Sequence, residues 1–136
     1  MRFLAIDHGT KRTGLAICDA DETIASPLAV LHNPGDLIDG IRQVVVAEHA
    51  EAVVVGLPLN MDGSEGPQAR QVRAFAKKLA ECVGVPVHFQ DERLSSFGAE
   101  QKWQETGLGR RRKRDHLDAL AAAEILQAFL EQRDRG

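Results

Sequence analysis

Three acidic residues, Asp7, Glu92 and Asp118, lie far apart in the sequence but at comparable places in the predicted elements. Asp7 ends the first predicted strand, Glu92 ends the last, and Asp118 falls in the first turn of the last predicted helix. Carboxylate oxygens bind hard divalent cations, and two such ions about 4 Å apart can hold the attacking and leaving oxygens of a phosphodiester. The pattern predicts that these three residues are metal ligands and catalytic residues of a phosphodiester hydrolase.

Each of the three acids also has an ordinary structural explanation. An aspartate at a strand end, such as Asp7, is commonly a turn former. Glu92 precedes Arg93 and could form an exposed ion pair with it. Asp118 could simply meet the positive end of its helix dipole. The metal-site interpretation depends on the three side chains meeting in the fold.

Two neighbouring acids compete for the same roles. Successive side chains of a strand point to opposite faces, so only one of Asp91 and Glu92 can face the site. Asp115 and Asp118 share a helix face, and Asp115 could assist as an outer ligand. The small residues Ala121–Ala123 follow closely and would let this helix approach the sheet.

Basic residues are concentrated in one part of an otherwise acidic chain. The net charge is −3, but residues 93–114 hold seven basic and two acidic side chains. Such asymmetry predicts a local contact with a polyanion such as nucleic acid. The run Arg110–Arg114 is predicted to be a flexible loop at the rim of the site, although basic runs are often only solvated surface. The predicted nucleic-acid-binding residues are Lys11, Arg12, Asn60, Arg93, Arg110, Arg111, Arg112, Lys113 and Arg114.

Composition excludes several other classes of function. The length of 136 residues suits one domain spanning 1–136. Cys18 and Cys82 are too few for a structural zinc site, and no HExxH pairing supports zinc hydrolysis. Aromatic residues make up 4%, which argues against a base-stacking platform. The N-terminus does not resemble a signal peptide and no apolar run reaches the roughly 18 residues of a membrane span, so we expect a cytoplasmic protein without membrane contact.

Hydrophobic patterning predicts a mixed α/β fold. Three sequential strands are followed by alternating helices and strands, which predicts a mixed five-stranded sheet with helices on both faces. The order βββαβαβαα is typical of the RNase H-like fold. The predicted strands are residues 2–7, 13–18, 23–31, 52–57 and 85–90, with Pro27 at an edge or bulge, and the predicted helices are residues 33–49, 68–83, 97–106 and 115–132.

Four segments resemble the YqgF/RuvX family in the order that the family shows them. They are IDHGTKRTGLAICD, VVGLPLNMDGSEGPQARQV, VHFQDERLSSFGAE and KRDHLDALAAAEILQAFL. The resemblance implies an RNase H-like nuclease using Mg²⁺ or Mn²⁺, assigned to 5′-end maturation of pre-16S ribosomal RNA and earlier to Holliday-junction resolution. The acidic positions of the family fall on Asp7, Glu92 and Asp118. The implied partner is pre-ribosomal RNA or branched DNA, bound by a monomer or, for two symmetric cuts, a homodimer.

Two other functions remain as alternatives. Asp7, Gly9, Thr10 and Gly14 resemble the phosphate-binding hairpin of the superfamily of sugar kinases, actin and heat-shock chaperones. Those proteins enclose a nucleotide between two such domains, and 136 residues leave no room for a second. A non-catalytic nucleic-acid-binding module of the same fold is the other alternative. The three acids argue against it.

Overall fold

The computed structural model describes residues 1–32, 36–94 and 110–135, and its centre is a five-stranded mixed sheet. The order across the sheet is β3-β2-β1-β4-β5. β2 is antiparallel to both of its neighbours, β1 and β3, whereas β4 and β5 run parallel to β1. This is the predicted sheet. The strands are β1 Phe3–His8, β2 Arg12–Cys18, β3 Ala25–His32, β4 Ala52–Leu57 and β5 Val87–Asp91.

Three helices and one 3-10 turn accompany the sheet in the described residues. They are α1 Leu37–Ala47, α2 Pro67–Val83, the 3-10 turn Glu92–Leu94 and α3 Arg110–Arg135. The predicted helix at 97–106 and the predicted helix start at Asn33 and Pro34 lie outside the described residues. None of the described helices has the length and apolar character needed to cross a membrane.

Local sequence explains where the helices and the edge strand form. The Asp36 side chain accepts a hydrogen bond from the backbone N–H of Asp39 and so caps α1. α2 begins with Pro67, whose missing N–H costs nothing in a first turn, and ends at Gly84 with φ 72°. Pro27 lies in the edge strand β3, beside an irregularity in the pairing with β2, as predicted.

The prediction of a flexible loop for Arg110–Arg114 was wrong, because these residues form the start of α3. Arginine and lysine have high helix propensity, and this preference outweighs the cost of placing cations at the positive end of a helix. Because the helix begins earlier than predicted, the prediction that Asp118 lies in its first turn was also wrong, and Asp118 lies just over two turns after the start of α3.

The two faces of the sheet carry separate cores. One face packs against α1 and α2 through leucine, isoleucine and valine, including Leu4 and Ile6 of β1. The other face packs against α3 and uses smaller residues, including Ala5 and Ala16. Alternation along β1 places Asp7 on the α3 face with Ala5, whereas His8 lies on the α2 face, where its ring stacks on Phe75 at 4.1 Å.

Candidate active site

A pair of carboxyl groups, those of Asp7 and Glu92, lies where the α3 face meets the ends of β1 and β5. Glu92 begins the 3-10 turn directly after β5, and its side chain reaches over β4 at Gly56. A Cβ atom at Gly56 would lie only 2.6 Å from Glu92 Oε1, so the missing side chain makes room for Glu92. Glu92 thereby reaches across one strand to form a hydrogen bond with Asp7.

Burial dominates the electrostatics of this pair. It raises the pKa of Glu92 to about 8, assisted by the hydrogen bond and the negative charge of Asp7. Burial also raises the pKa of Asp7; the hydrogen bond with Glu92 opposes this increase, and the charge of Asp118 adds to it. The two carboxyls consequently share one proton near neutral pH.

Asp118 reaches the site because α3 packs tightly on β2. A Cβ atom at Gly14 would lie 2.0 Å from the backbone oxygen of Asp118, so only glycine allows this approach. Gly14 is also the register partner of Asp7 in β1. The carboxylate of Asp118 accepts a hydrogen bond of 2.6 Å from Nε of Arg12. The third predicted ligand is thus beside the pair but bound to an arginine.

These residues suit a hard divalent cation, although they do not form a preassembled cage. Within residues 1–32, 36–94 and 110–135, no group of three histidine, cysteine or acidic residues is arranged to hold a metal ion. Asp7 and Glu92 face each other, and a cation between them would replace the shared proton. Asp118 would complete the set of oxygen ligands once it separates from Arg12.

The two rival acids have partners of their own. Asp91 accepts hydrogen bonds from the Arg93 side chain, which lowers the pKa of Asp91. Asp115 Oδ2 lies 3.2 Å from Nε2 of His32. The charge of Asp91 is therefore compensated by a neighbouring cation, whereas Glu92, its sequence neighbour, is half-buried against another acid.

The predicted nucleic-acid-binding residues fall into different environments. Lys11 is exposed in the β1–β2 turn, and Arg12 binds Asp118. The Arg93 side chain donates to the backbone oxygens of Asn60 and Met61 as well as to Asp91. The Asn60 amide donates to Ser64 Oγ at 3.0 Å. The structure thus brings Arg93 and Asn60 together, apart from Arg12.

The sequence interpretation missed two features of this site, Gly56 and Gln90. A glycine inside the β-branched run of β4 was the available signal for a close approach. Gln90 pairs with Gly56 across β4 and β5 and is 4% exposed, and its Nε2 has no hydrogen-bond partner among the residues that the structure describes. A buried glutamine has no distinguishing sequence pattern.

Five basic residues, Arg110–Arg114, begin α3 and precede Asp118 by about one to two helical turns. They belong to the same helix as Asp118 and precede it along the chain. No acidic residue occupies the first turn of α3, so the positive end of its dipole has no acidic compensation in that turn. The role of Arg110–Arg114 as a basic rim stays a prediction.

Comparison with known proteins identifies the family. The sequence model of RuvX, described as a Holliday junction resolvase, matches residues 1–132. A relative from Anaeromyxobacter sp. strain Fw109-5, named "Putative pre-16S rRNA nuclease", is 47% identical over 135 residues, with 98% of each chain covered. A relative of the same name from Moorella thermoacetica is 42% identical over 134 residues, covering 97% of this chain and 96% of the other.

Solved structures agree on the fold. The RuvC protein of Thermus thermophilus, in complex with a Holliday junction substrate, aligns with a TM-score of 0.63 at 20% identity over 98% of this chain and 96% of that one. The Holliday junction resolvase of fowlpox virus aligns with a TM-score of 0.57 at 12% identity over 97% and 99%. These likenesses confirm the predicted RNase H-like architecture, and together with the sequence matches they lead to one conclusion: the chain belongs to the RuvX family.

Proposed function

We propose that this chain is a divalent-metal-dependent nuclease that hydrolyses nucleic-acid phosphodiesters, with Asp7, Glu92 and Asp118 as ligands. The observation that carries the proposal is the half-buried Asp7–Glu92 pair, whose carboxyls are hydrogen-bonded to each other beside a third carboxylate. When both carboxyls are charged, their close approach destabilises the fold unless a cation lies between them. A bound ion could therefore replace the proton that otherwise keeps one carboxyl neutral. Such groups with strongly raised pKa values are typical of functional sites.

The roles of the residues follow from their positions. A bound Mg²⁺ or Mn²⁺ would polarise a phosphate oxygen of the substrate and lower the pKa of a water molecule bound to it. Asp7 is fixed on the central strand β1, so it sets where the ion is held. Glu92 and Asp118 come from a turn and a helix, whose side chains can adjust to the ligand sphere.

Contacts to nucleic acid are assigned to the basic residues at this end of the molecule. Phosphates would compensate the charges of Arg110–Arg114 at the start of α3 and would bind Lys11 and Arg12 in the first hairpin. Asn60 and Arg93 form a second, smaller set on the β4 and β5 side. Contacts of this kind position the backbone of a substrate without reading its sequence.

A ribosomal RNA precursor is the substrate that we favour, with cleavage that matures the 5′ end of pre-16S rRNA in the cytoplasm. The support is the name shared by relatives that are 41–47% identical over nearly the whole chain. A four-way DNA junction is the second candidate, supported by the family description and by the structural neighbours. A monomer suffices for a single RNA cut, whereas a junction needs two sites and hence a homodimer.

A cleavage assay with matched variants tests the proposal. The purified protein is incubated with Mg²⁺ or Mn²⁺ and either a pre-16S rRNA 5′ fragment or a four-way DNA junction. We expect cleavage of the RNA by the wild type, and a loss of at least about a thousandfold, or roughly 4 kcal/mol, in Asp7→Asn, Glu92→Gln and Asp118→Asn. Asp91→Asn, which changes the neighbouring acid, should retain activity.

The outcomes separate the parts of the proposal. Cleavage of the junction alone would move the substrate to DNA while leaving the site intact. Undiminished cleavage by all three site variants would show that the site is elsewhere. Absence of cleavage on both substrates, with nucleic-acid binding retained, would favour the non-catalytic module.

A further inference from the structure

The ion pair between Arg12 and Asp118 joins two residues that are 106 positions apart and that both belong to the proposed site. Arg12 begins β2, and Asp118 lies just over two turns after the start of α3. Nε of Arg12 is 2.6 Å from Oδ2 of Asp118, and the two side chains are 27% and 25% exposed. The pair is therefore half-buried but within reach of a ligand from solvent.

The backbone of α3 is fixed at this point, so only the Asp118 side chain is free to change its partner. The backbone oxygen of Asp118 lies in the space that a Cβ atom of Gly14 would occupy. A second connection, between His32 and Asp115, joins the same end of the sheet to the same end of α3. Arg12 and His32 are register partners in β2 and β3, so the two connections lie side by side. Separation of Arg12 from Asp118 would leave the helix in place.

Asp7 and Glu92 alone supply a two-carboxylate site, and Asp118 supplies the third. The charge of Asp118 already acts on Asp7, which places it close to the pair. Yet no three such groups are arranged as a metal site in the described ranges. The hydrogen bond to Arg12 is the contact that the Asp118 carboxylate makes instead.

We propose that Arg12 is a positioning residue that holds Asp118 away from the metal ion until a phosphate of bound nucleic acid binds the guanidinium group of Arg12. Guanidinium groups bind phosphate oxygens at least as readily as carboxylates, because two parallel N–H donors match two oxygens. The released Asp118 carboxylate then turns to the ion. Substrate binding and completion of the metal site are thereby coupled, and this inference rests on the proposed function.

The coupling makes a prediction about metal affinity that needs no catalysis. Without nucleic acid, Arg12 competes with the ion for Asp118, so its removal should strengthen metal binding. With nucleic acid present, the wild type should bind the ion more tightly than it does alone. Reciprocity requires that the ion strengthen nucleic-acid binding by the same factor.

Calorimetric titration of the intact protein with Mn²⁺ alone tests the inference. Arg12→Gln should bind Mn²⁺ about tenfold more tightly than the wild type. The same substitution should bring no gain in an Asp118→Asn background, where the double variant is compared with Asp118→Asn alone. That double-mutant cycle separates release of Asp118 from a general loss of positive charge, which would act in both backgrounds. His32→Asn, which breaks the neighbouring connection, should leave the Mn²⁺ affinity unchanged.

A second titration adds an RNA strand that carries a non-cleavable linkage. The wild type should gain Mn²⁺ affinity in its presence, and Arg12→Gln should gain less, because its Asp118 is already released. Equal or weaker Mn²⁺ binding by free Arg12→Gln, or an equal gain in the Asp118→Asn background, would overturn the inference. If Asp7→Asn also left Mn²⁺ binding unchanged, the assignment of the metal site itself would be wrong. If Asp7→Asn lost Mn²⁺ binding while Arg12→Gln had no effect on it, only the coupling would be refuted.

Discussion

The two faces of the sheet are built from different residues. One face is filled with branched side chains, whereas the other has small residues at the positions where α3 and Glu92 approach the sheet. The face beneath α1 and α2 is filled with leucine, isoleucine, valine and Phe75, a core of branched side chains. The face beneath α3 combines large side chains such as Phe3 and Leu126 with alanines, and it has two glycines, Gly14 and Gly56, where the helix and Glu92 come closest. Small residues bury less apolar surface, so these positions of close approach contribute less to folding. They do bring the Asp7–Glu92 pair and Asp118 near one another.

The same contrast appears between adjacent residues at the end of β5. Asp91 is bound by Arg93, and this hydrogen bonding lowers the pKa of Asp91. Glu92 is half-buried against another acid, and its pKa rises to about 8. The charge of Asp91 is thus stabilised by its partner, whereas the charge of Glu92 is not. Under the proposed function a bound cation would stabilise it, so changes near the two acids should have different consequences.

Gly56→Ala should impair cleavage, which depends on the α3 face of the sheet, without unfolding the protein. The new Cβ atom would lie 2.6 Å from both Glu92 Oε1 and Ile125 Cδ1, which are ends of flexible side chains. Displacement of Glu92 should lower cleavage by about a hundredfold or more, while overpacking costs roughly 1–3 kcal/mol. Cleavage rates and chemical denaturation measure the two effects.

Gly40→Ala is the control on the opposite side of the sheet. Among the described residues, a Cβ atom there would meet only Leu31 Cδ1, at 3.4 Å, and alanine is favoured over glycine inside α1. We expect unchanged cleavage and a stability gain of up to about 1 kcal/mol. Full activity in Gly56→Ala would show that Glu92 does not need its present position.

Leu79→Ala should have the reverse effect, weakening the fold and sparing the site. Leu79 is fully buried in the core between α2 and the sheet. Its truncation should cost about 2–5 kcal/mol of unfolding free energy. Cleavage per folded molecule, assayed well below the melting temperature, should stay within about twofold of the wild type. Loss of Mn²⁺ binding in the folded variant would show that the faces are not independent.

Glu92→Gln should stabilise the metal-free protein at alkaline pH. Glu92 has a pKa of about 8 when folded and an ordinary value near 4.5 when unfolded, so between these values the folded state retains a proton that the unfolded chain releases. Wild-type stability therefore falls as pH rises from about 4.5 to 8, and the uncharged amide of the variant avoids this loss. With a chelator, we expect the variant to melt several degrees higher at about pH 8.5, with a much smaller difference at about pH 4.5.

Magnesium supplies the internal control for that comparison. The ion should raise the melting temperature of the wild type at about pH 8.5 and should change that of Glu92→Gln much less. A wild type that is more stable than the variant at this pH without metal would contradict the account of a shared proton.

Lys11→Gln should have the smallest effect, confined to nucleic-acid binding. Lys11 is exposed in the β1–β2 turn near Arg12. Loss of one phosphate contact lowers the slope of log affinity against log salt by roughly 0.7–0.9. Lys77→Gln, an exposed change on α2, should leave the slope unchanged. Equal slopes for the two variants would remove Lys11 from the interface.

The fold and the identity of the acids were accessible from sequence, because both follow from local pattern. β4 contains three consecutive valines within an apolar run, and its bounds agree with the prediction to the residue. Asp7, Glu92 and Asp118 were chosen because elements end or begin there, and the structure brings Asp7 and Glu92 into contact with Asp118 close by. Their roles as ligands stay a prediction.

What the sequence did not predict depends on distant contacts or on opposing preferences. The Arg12–Asp118 pair joins segments 106 residues apart, and no periodicity reports such a contact. Arg110–Arg114 have strong helix propensity, but their charge suggested a solvated loop, and the propensity was the larger effect. Gly56 was visible in the sequence, yet its meaning required knowledge that Glu92 crosses over it.

The most direct test of the central claim is a crystal structure grown with Mn²⁺ and an uncleavable nucleic-acid strand, with anomalous diffraction used to locate the metal. The account predicts a manganese signal within coordination distance of Asp7, Glu92 and Asp118, about 2.0–2.4 Å from their oxygens, with Arg12 on a phosphate. Asp7 and Glu92 still hydrogen-bonded to each other, with manganese absent or bound elsewhere, would contradict it.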